Sequence, residues 1–403
     1  MKLMKIFVTL ISILAILILL LIIDFRLGER AQRKKTKRKN YPIRNSDFTL
    51  FTDGTELFPS LFDTVKQATS HVHILFYTIK TDSISKEFLD LLKIKANEGV
   101  EVRLMLDWLG SIKIRKKIRK KLKNAGVQFA FCQLPSFPYL FYSLQERNHR
   151  KIAIIDGKIG FMGGFNIGKD YVHTNFKLSP WRDYHIKMTG EGVDDLQREF
   201  LIDWKNAFGV NLLQDPIYFP KQEKGPARHQ VIPTQGVYLE EILCDLIRNC
   251  KTSLVIGTPY FIPSNRVMQE LLAAIDRNVK ITILLPNKAD HPFVKEASFR
   301  YLRILLKNGV KVFQYMNGFF HGKLIIADET IAVIGSANFD KRSFFLNHEL
   351  NCCIYDFSLI KEIEDMIQID INESKELLLK DLTNQSIGTF IKECVARPLS
   401  PFL

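Results

Sequence analysis

Two stretches of the chain carry the same polar residues at the same intervals, and this duplication limits its architecture more than any other feature. His149, Lys151, Asp156 and Asn166 are spaced as are His321, Lys323, Asp328 and Asn338. In both, Lys lies 2, Asp 7 and Asn 17 positions beyond the His (151, 156 and 166 from 149; 323, 328 and 338 from 321). Gly163-Gly164-Phe165-Asn166 closes the first copy and Gly335-Ser336-Ala337-Asn338 the second. A single His-x-Lys is usually a surface accident, and a single Asn after Gly usually a turn. Four identities at four offsets, twice, imply two half-sites meeting in one two-fold site. Side chains in a strand repeat every second residue, so each His and its Lys point to one face. A buried cationic face is costly unless something anionic uses it.

Two imidazoles and two ammonium groups suit a phosphodiester. Its negative charge repels nucleophiles and its alkoxide leaves poorly unless protonated. One imidazole can attack phosphorus while the other acts as general acid, then as base for the incoming hydroxyl. Lys151 and Lys323, with Asn166 and Asn338, can cradle the non-bridging oxygens. An attacking imidazole also needs a carboxylate to fix its tautomer. Asp183 and Glu349 are the candidates, 34 and 28 positions beyond His149 and His321 (183 − 149; 349 − 321). Asp156 and Asp328 complete the candidate catalytic set by belonging to the repeat, although they suit holding a turn or pairing with a Lys better than touching substrate. His73, His185, His229, His291 and His348 are expected to be ordinary surface or packing residues.

This scheme requires no cofactor and no metal. The six cysteines contain no CxxC, and the adjacent pair Cys352-Cys353 lacks metal-ligand spacing, so buried reduced thiols are expected.

The 403 residues suffice for two domains, and a weak internal repeat divides them. The segments 72–79, 98–107 and 124–131 answer 252–262, 277–286 and 307–314, giving strand, helix, strand, helix, strand in each half before the His-bearing strand. Alternating helices and apolar strands predict an α/β class: two similar sandwich lobes with pseudo-two-fold symmetry, closing face to face. A helix over 85–97 is expected to end near Gly99. Lobe 1 is placed at 48–205 and lobe 2 at 236–385, with a tail over 386–403. The Pro- and Gly-punctuated 206–235 reads as the linker between lobes.

Residues 6–23 are uncharged and almost wholly aliphatic, and at about 1.5 Å per residue they reach roughly 27 Å, close to the hydrocarbon thickness of a bilayer. No small-x-small cleavage site follows, so one uncleaved N-terminal transmembrane helix is expected, with a basic juxtamembrane linker at 24–47. Arg26, Arg30, Arg33, Lys34, Lys35, Lys37, Arg38 and Lys39 follow the span, against Lys2 and Lys5 before it. That asymmetry predicts a single-pass cell-membrane protein with its catalytic part in the cytoplasm.

The motifs "RNHRKIAIIDGKIGFMGGFNIGKDY" (147–171), "WRDYHIKMTGEGV" (181–193) and "GFFHGKLIIADETIAVIGSANFDKRSFFLNHEL" (318–350) resemble the phospholipase D superfamily, whose signature is a twice-occurring HxKxxxxD. Within it, the chain most resembles the bacterial cardiolipin synthase group, over about residues 48–385. The resemblance implies phospholipase D-like lobes and transfer of a phosphatidyl group between two phosphatidylglycerol molecules through a phosphohistidine. It also implies that one of His149 and His321 becomes phosphatidylated while the other handles protons, with family precedent favouring His149 as the nucleophile. Many members have two membrane spans, whereas this chain shows one.

The superfamily also holds phospholipase D-type hydrolases and nucleases. A net charge of +14 fits either nucleic acid or an anionic membrane. The basic stretch 112–123 carries Ile114, Ile118 and Leu122 every fourth residue, fitting either a bilayer surface or a stripe packed on the domain. The apolar segment 131–142 fits either a patch that receives acyl chains or one buried under a linker. The membrane span favours anionic phospholipid as substrate, with the membrane as partner and no nucleic acid. A phospholipase D-type hydrolase or membrane-tethered nuclease is the alternative. Oligomeric state is not legible.

Overall fold

A computed structural model describes residues 2–174 and 177–402. The first half carries β1 (Arg44–Phe51), β2 (His71–Phe76), β3 (Glu101–Asp107), β4 (Gln128–Cys132), β5 (Ile152–Ile155), β6 (Ile159–Gly163), β7 (Trp181–Arg182) and β8 (His185–Gly190). The second carries β9 (Ala227–Gln235), β10 (Ser253–Gly257), β11 (Phe261–Ile262), β12 (Lys280–Pro286), β13 (Lys311–Tyr315) and β14 (Phe319–Phe320). It continues with β15 (Leu324–Ala327), β16 (Ile331–Gly335), β17 (Phe339–Asp340), β18 (His348–Ile354) and β19 (Ser374–Glu376).

One sheet runs β19-β13-β12-β10-β15-β16-β18-β9-β1-β8-β6-β5-β2-β3-β4. Outward from the β9–β1 junction the two halves read alike: β1, β8, β6, β5, β2, β3, β4 on one side and β9, β18, β16, β15, β10, β12, β13 on the other. The sequence repeat is therefore a structural two-fold, with β1 and β9 pairing antiparallel across it from Arg44↔His229 to Ser46↔Ala227. The halves are joined edge to edge there, and one cluster of buried side chains draws on both. Met162, Ile186 and Trp204 from the first half share it with Leu324, Ile334 and Leu350 from the second.

Local chemistry fixes the elements. All six residues of β2 are buried, as expected of a strand covered on both faces in a parallel pair. The helix Ser83–Asn97 starts where the Asp82 side chain accepts from Ser85 N–H, and it ends just before Gly99, whose φ of +90° takes the chain out of the helix. The second half repeats this with Ser264 capping the helix Asn265–Asp276.

Several expectations need correcting. The stretch 206–235 is not all linker, because β9 occupies its last nine residues and supplies the central pairing. Lobe 1 begins with β1 at Arg44, earlier than 48, and its last helix runs Gly192–Phe208. The N-terminal helix spans Lys2–Lys35, so the first part of the juxtamembrane segment is helical rather than a linker. Its apolar run is wholly exposed, and the helix is long and apolar enough to cross a membrane. Beyond that run it docks on the lobes: Asp24 accepts from Tyr142 N–H (2.8 Å), and Gly28 packs so closely that a Cβ would sit 2.4 Å from the Tyr142 side chain. The apolar segment before the first His is thus divided. Tyr142 is buried under the N-terminal helix, while Phe137 is 84% exposed. In the basic stretch, Ile114 and Leu122 are buried, so its apolar stripe packs on the domain and its lysines face solvent. All six thiols are free, and five are buried; Cys394 is exposed.

Candidate active site

The two histidines are positioned by backbone hydrogen bonds to the opposite lobe. His149 N–H donates to His348 O (2.9 Å), and His321 N–H donates to Arg182 O (2.6 Å). A bridge pairs Asn148 with His348, and β14 pairs with β7 through Phe320↔Arg182. In each case the next residue along is a carboxylate, Glu349 or Asp183. The carboxylates therefore cross over, each serving the histidine of the other half.

His149 Nδ1 lies 3.1 and 3.0 Å from the two oxygens of Glu349. His321 Nδ1 lies 2.6 Å from Asp183 Oδ2. An ionised carboxylate only accepts, so each Nδ1 carries the proton and Nε2 is the ring nitrogen left for substrate. The imidazoles are 13% and 9% exposed, and both carboxylates are fully buried.

Glu349 also accepts from Ser336 Oγ (2.6 Å), Ser343 Oγ (3.0 Å) and Asn347 Nδ2 (3.2 Å). Asp183 accepts instead from the Tyr184 N–H (2.8 Å) and faces Lys323 Nζ at 3.4 Å. Gly164, at the position of Ser336, explains the difference in part: a Cβ there would sit 2.0 Å from Asp183 Oδ1. The lobes use different residues around the same core pair.

Lys151 Nζ donates to the carbonyl of His149 (2.6 Å) and lies 5.7 Å from the centre of the Tyr77 ring. Lys323 Nζ donates to the carbonyl of His321 and lies 2.7 Å from His321 Nδ1. Both ammonium groups are buried. Burial pushes Lys151 down to about 7, with Glu349 opposing and Lys323 adding to the fall. Burial also lowers Lys323, against Asp183. Burial, then Lys323, pushes His321 down to about 4, with Asp183 resisting. His149 is lowered by burial against the pull of Glu349, with Lys151 and Lys323 pushing the same way as burial. Asp183 and Glu349 stay below the usual carboxylate range: burial raises each, but Lys323 and His321 outweigh it at Asp183, and His149 at Glu349. Lys323 of one lobe thus acts on His149 of the other, as expected of one shared site.

The residue between His and Lys differs between copies. Arg150 is fully buried and reaches Asp203 (2.8 Å), Glu199 (2.9 Å) and the carbonyls of Glu349 and Thr234, clamping the lobes together. Gly322 takes its place in lobe 2, where a Cβ would meet Phe320 and Tyr184 at 2.7 and 2.8 Å.

Asp156 and Asp328 turn to backbone N–H groups rather than to the histidines, the turn-holding role that suited them. Asp156 follows β5, seven residues past His149, roughly 20 Å along an extended strand. It accepts from the backbone N–H groups of Thr69, Ser70 and His71. Asp328 does the same for Lys251, Thr252 and Ser253. Each holds the start of the neighbouring antiparallel strand, β2 or β10. The Asn166 amide accepts from Thr78 N–H and donates to Tyr171 OH, bracing the segment after β2. Asn338 leaves its buried Oδ1 without a partner among the described residues.

Sequence reasoning missed several neighbours. Tyr77 stacks edge-on 5.1 Å from His149, Tyr260 lies 6.2 Å from His321, and Trp181 4.8 Å from His321. The internal repeat held the signal for the tyrosines, each following the first strand of its lobe's parallel trio. His348, set aside as ordinary, holds His149 through its carbonyl and pairs its Nε2 with Glu146 (2.8 Å). Among the described residues no group of three or more His, Cys, Asp or Glu is placed to share a metal.

The profile of the family described as "Cardiolipin synthase, PLD-like domain" matches residues 61–203 and 243–371. The minor cardiolipin synthase ClsB of Bacillus subtilis is 39% identical over 99% of this chain and all of its own length. A cardiolipin synthase of Oceanobacillus iheyensis is 36% identical over 89% of this chain and 76% of its own. Among solved structures, the phosphatidylserine synthase of Haemophilus influenzae aligns with a TM-score of 0.70 at 15% identity, covering 93% of this chain and all of that one, a likeness of fold.

Proposed function

The chain belongs to the cardiolipin synthase branch of the phospholipase D superfamily, a phosphatidyltransferase of phospholipid biosynthesis, and we propose that it joins two phosphatidylglycerol molecules into cardiolipin with release of glycerol. The observation that carries this reading is the crossed pairing of His149 with Glu349 and His321 with Asp183, which joins both half-sites into one.

His149 Nε2 attacks phosphorus, forming the P–N bond as the P–O bond to the leaving glycerol breaks. Glu349, whose other donors keep it fixed, stabilises the positive charge that grows on His149. His321 donates its Nε2 proton to the departing glycerol oxygen. The hydroxyl of a second phosphatidylglycerol then attacks phosphorus, His321 takes its proton back, and His149 leaves unchanged. His149 is the better nucleophile of the two because the other hydrogen-bond donors to Glu349 are neutral, whereas Asp183 is shared by His321 and the Lys323 ammonium.

The empty site is short of protons, since burial lowers both lysines and both histidines. A diester anion among these four groups raises all of them. Binding therefore draws in a proton, which arms His321 as the acid, while the two ammonium groups hold the non-bridging oxygens. The excess of cations after Ile23 supports a cytoplasmic face for the lobes, with the anchor helix holding the site at the bilayer.

Purified full-length protein incubated with phosphatidylglycerol in detergent is expected to yield cardiolipin and glycerol. Phosphatidic acid as the sole lipid product would make the enzyme a hydrolase instead.

A further inference from the structure

The helix Ile387–Leu399 is built inside out for a protein in water. At 3.6 residues per turn, Ile387, Phe390, Ile391, Cys394, Val395, Pro398 and Leu399 fall on one stripe, and every one of them is exposed. Ile387 is 80%, Phe390 62% and Ile391 57% exposed. The opposite stripe, Thr389, Glu393, Ala396 and Ser400, faces the protein, and Glu393 forms a two-pronged ion pair with Arg303 at 2.7 Å. The polar and small side is docked, and the apolar side faces away from the protein.

Its neighbourhood identifies what covers that stripe. Just past the helix, Phe402 packs 5.3 Å from Phe25 and 6.0 Å from Phe141, and Arg342 donates to the Phe402 carbonyl. Phe25 is two residues beyond the end of the apolar run of the N-terminal helix. The C-terminal end of the stripe is thereby tied to the point where that helix would leave the bilayer. The exposed Phe137 and Leu140 precede Phe141 in the same neighbourhood. Lys392 and Arg397, both exposed, border the stripe on its two sides, as cations do on helices lying in an anionic interface.

We infer that the helix Ile387–Leu399 lies in the surface of the bilayer entered by the N-terminal helix, with its outward stripe sunk below the lipid headgroups. The chain then holds the membrane at two places, a span at one end and an in-plane helix at the other, joined through the Phe25–Phe402 contact. Two attachments fix the tilt of the lobes, which a single span leaves free to swivel. This inference rests on the reading of the N-terminal helix as a membrane anchor.

Cys394 lies in the stripe and is the exposed cysteine of the six, so the full-length protein can be labelled there without substitution. The thiol is coupled to a fluorophore and the protein is reconstituted in phosphatidylglycerol-containing vesicles. Nitroxide-labelled acyl chains are expected to quench the probe several-fold more strongly than aqueous iodide. Stronger quenching by iodide would place the stripe in water and overturn the inference. Shielding from both quenchers, with Cys394–Cys394 cross-linking, would assign the stripe to a second copy and overturn it equally. Resistance of the protein to carbonate extraction reports the N-terminal span separately, and cardiolipin production reports the proposed activity, so failure of either is told apart from failure of the in-plane helix.

Discussion

Glu349 Oε2 stands 3.0 Å from His149 Nδ1, although the two residues are 200 positions apart and belong to opposite lobes. Each lobe alone is therefore expected to be inert, because the carboxylate that sets the tautomer of one histidine arrives on the far half of the sheet. Replacing Glu349 by Gln keeps the size but removes the obligatory acceptor, so Nδ1 no longer needs to carry the proton. A drop in kcat of about two to four orders of magnitude is expected from the known cost of losing such an orienting carboxylate. His149→Ala should abolish turnover. Steady-state cardiolipin formation by the two variants, alongside their thermal melts, checks the order.

Gly164 makes room for Asp183, since a Cβ at residue 164 would fall 2.0 Å from Oδ1. Gly164→Ala should move Asp183 off His321 and reduce kcat at least about tenfold, by loss of a charge-assisted hydrogen bond. The corresponding Ser336→Ala removes one of several donors to Glu349 and should cost less. Comparing kcat of the two variants tests whether the two lobes differ in this way.

How much of this was legible follows from what repeats. The duplicated His, Lys, Asp and Asn marked both half-sites, and the apolar runs marked the parallel strands of each lobe, because identity at fixed spacing survives without knowledge of packing. The crossing of Glu349 and Asp183 was not legible, since no interval in the chain records which lobe a carboxylate will face. β9 was hidden for a different reason. Pro226 just before it and Pro233 within it mark the stretch as a linker would, yet Pro233 sits opposite Leu350 in the sheet, where tertiary pairing overrides local preference. The role of Asp156 was half visible: its place in the repeat suggested catalysis, while its seven-residue distance from His149 carries it past the far end of β5.

Asp156 and Asp328 should accordingly matter for folding rather than turnover. Each closes several backbone N–H groups at the head of a strand, so an Ala substitution should cost about 1–3 kcal/mol of stability. The kcat of the folded fraction should stay within about twofold of the parent. Denaturant midpoints and activity per folded molecule, measured on the same samples, separate the two effects.

The pH profile carries the sign of Lys151. Its ammonium, pushed down to about 7, is charged below that pH and neutral above it, so the empty site loses positive charge as pH rises through 7. The profile of kcat/KM reports groups of the free enzyme. It should therefore fall on the alkaline side from near pH 7, chiefly through a rising KM for phosphatidylglycerol. Lys151→Arg, which stays charged throughout that range, should lose this limb even if its absolute rate is lower.

The central claim is that both lobes build one site in which His149 carries the phosphatidyl group. Phosphohistidine survives alkali, so a single turnover with phosphorus-labelled phosphatidylglycerol, quenched at high pH and mapped by peptide mass spectrometry, tests it directly. The expected result is no more than one label per chain, on the peptide containing His149. Label on His321, or on both histidines of one chain, would contradict it.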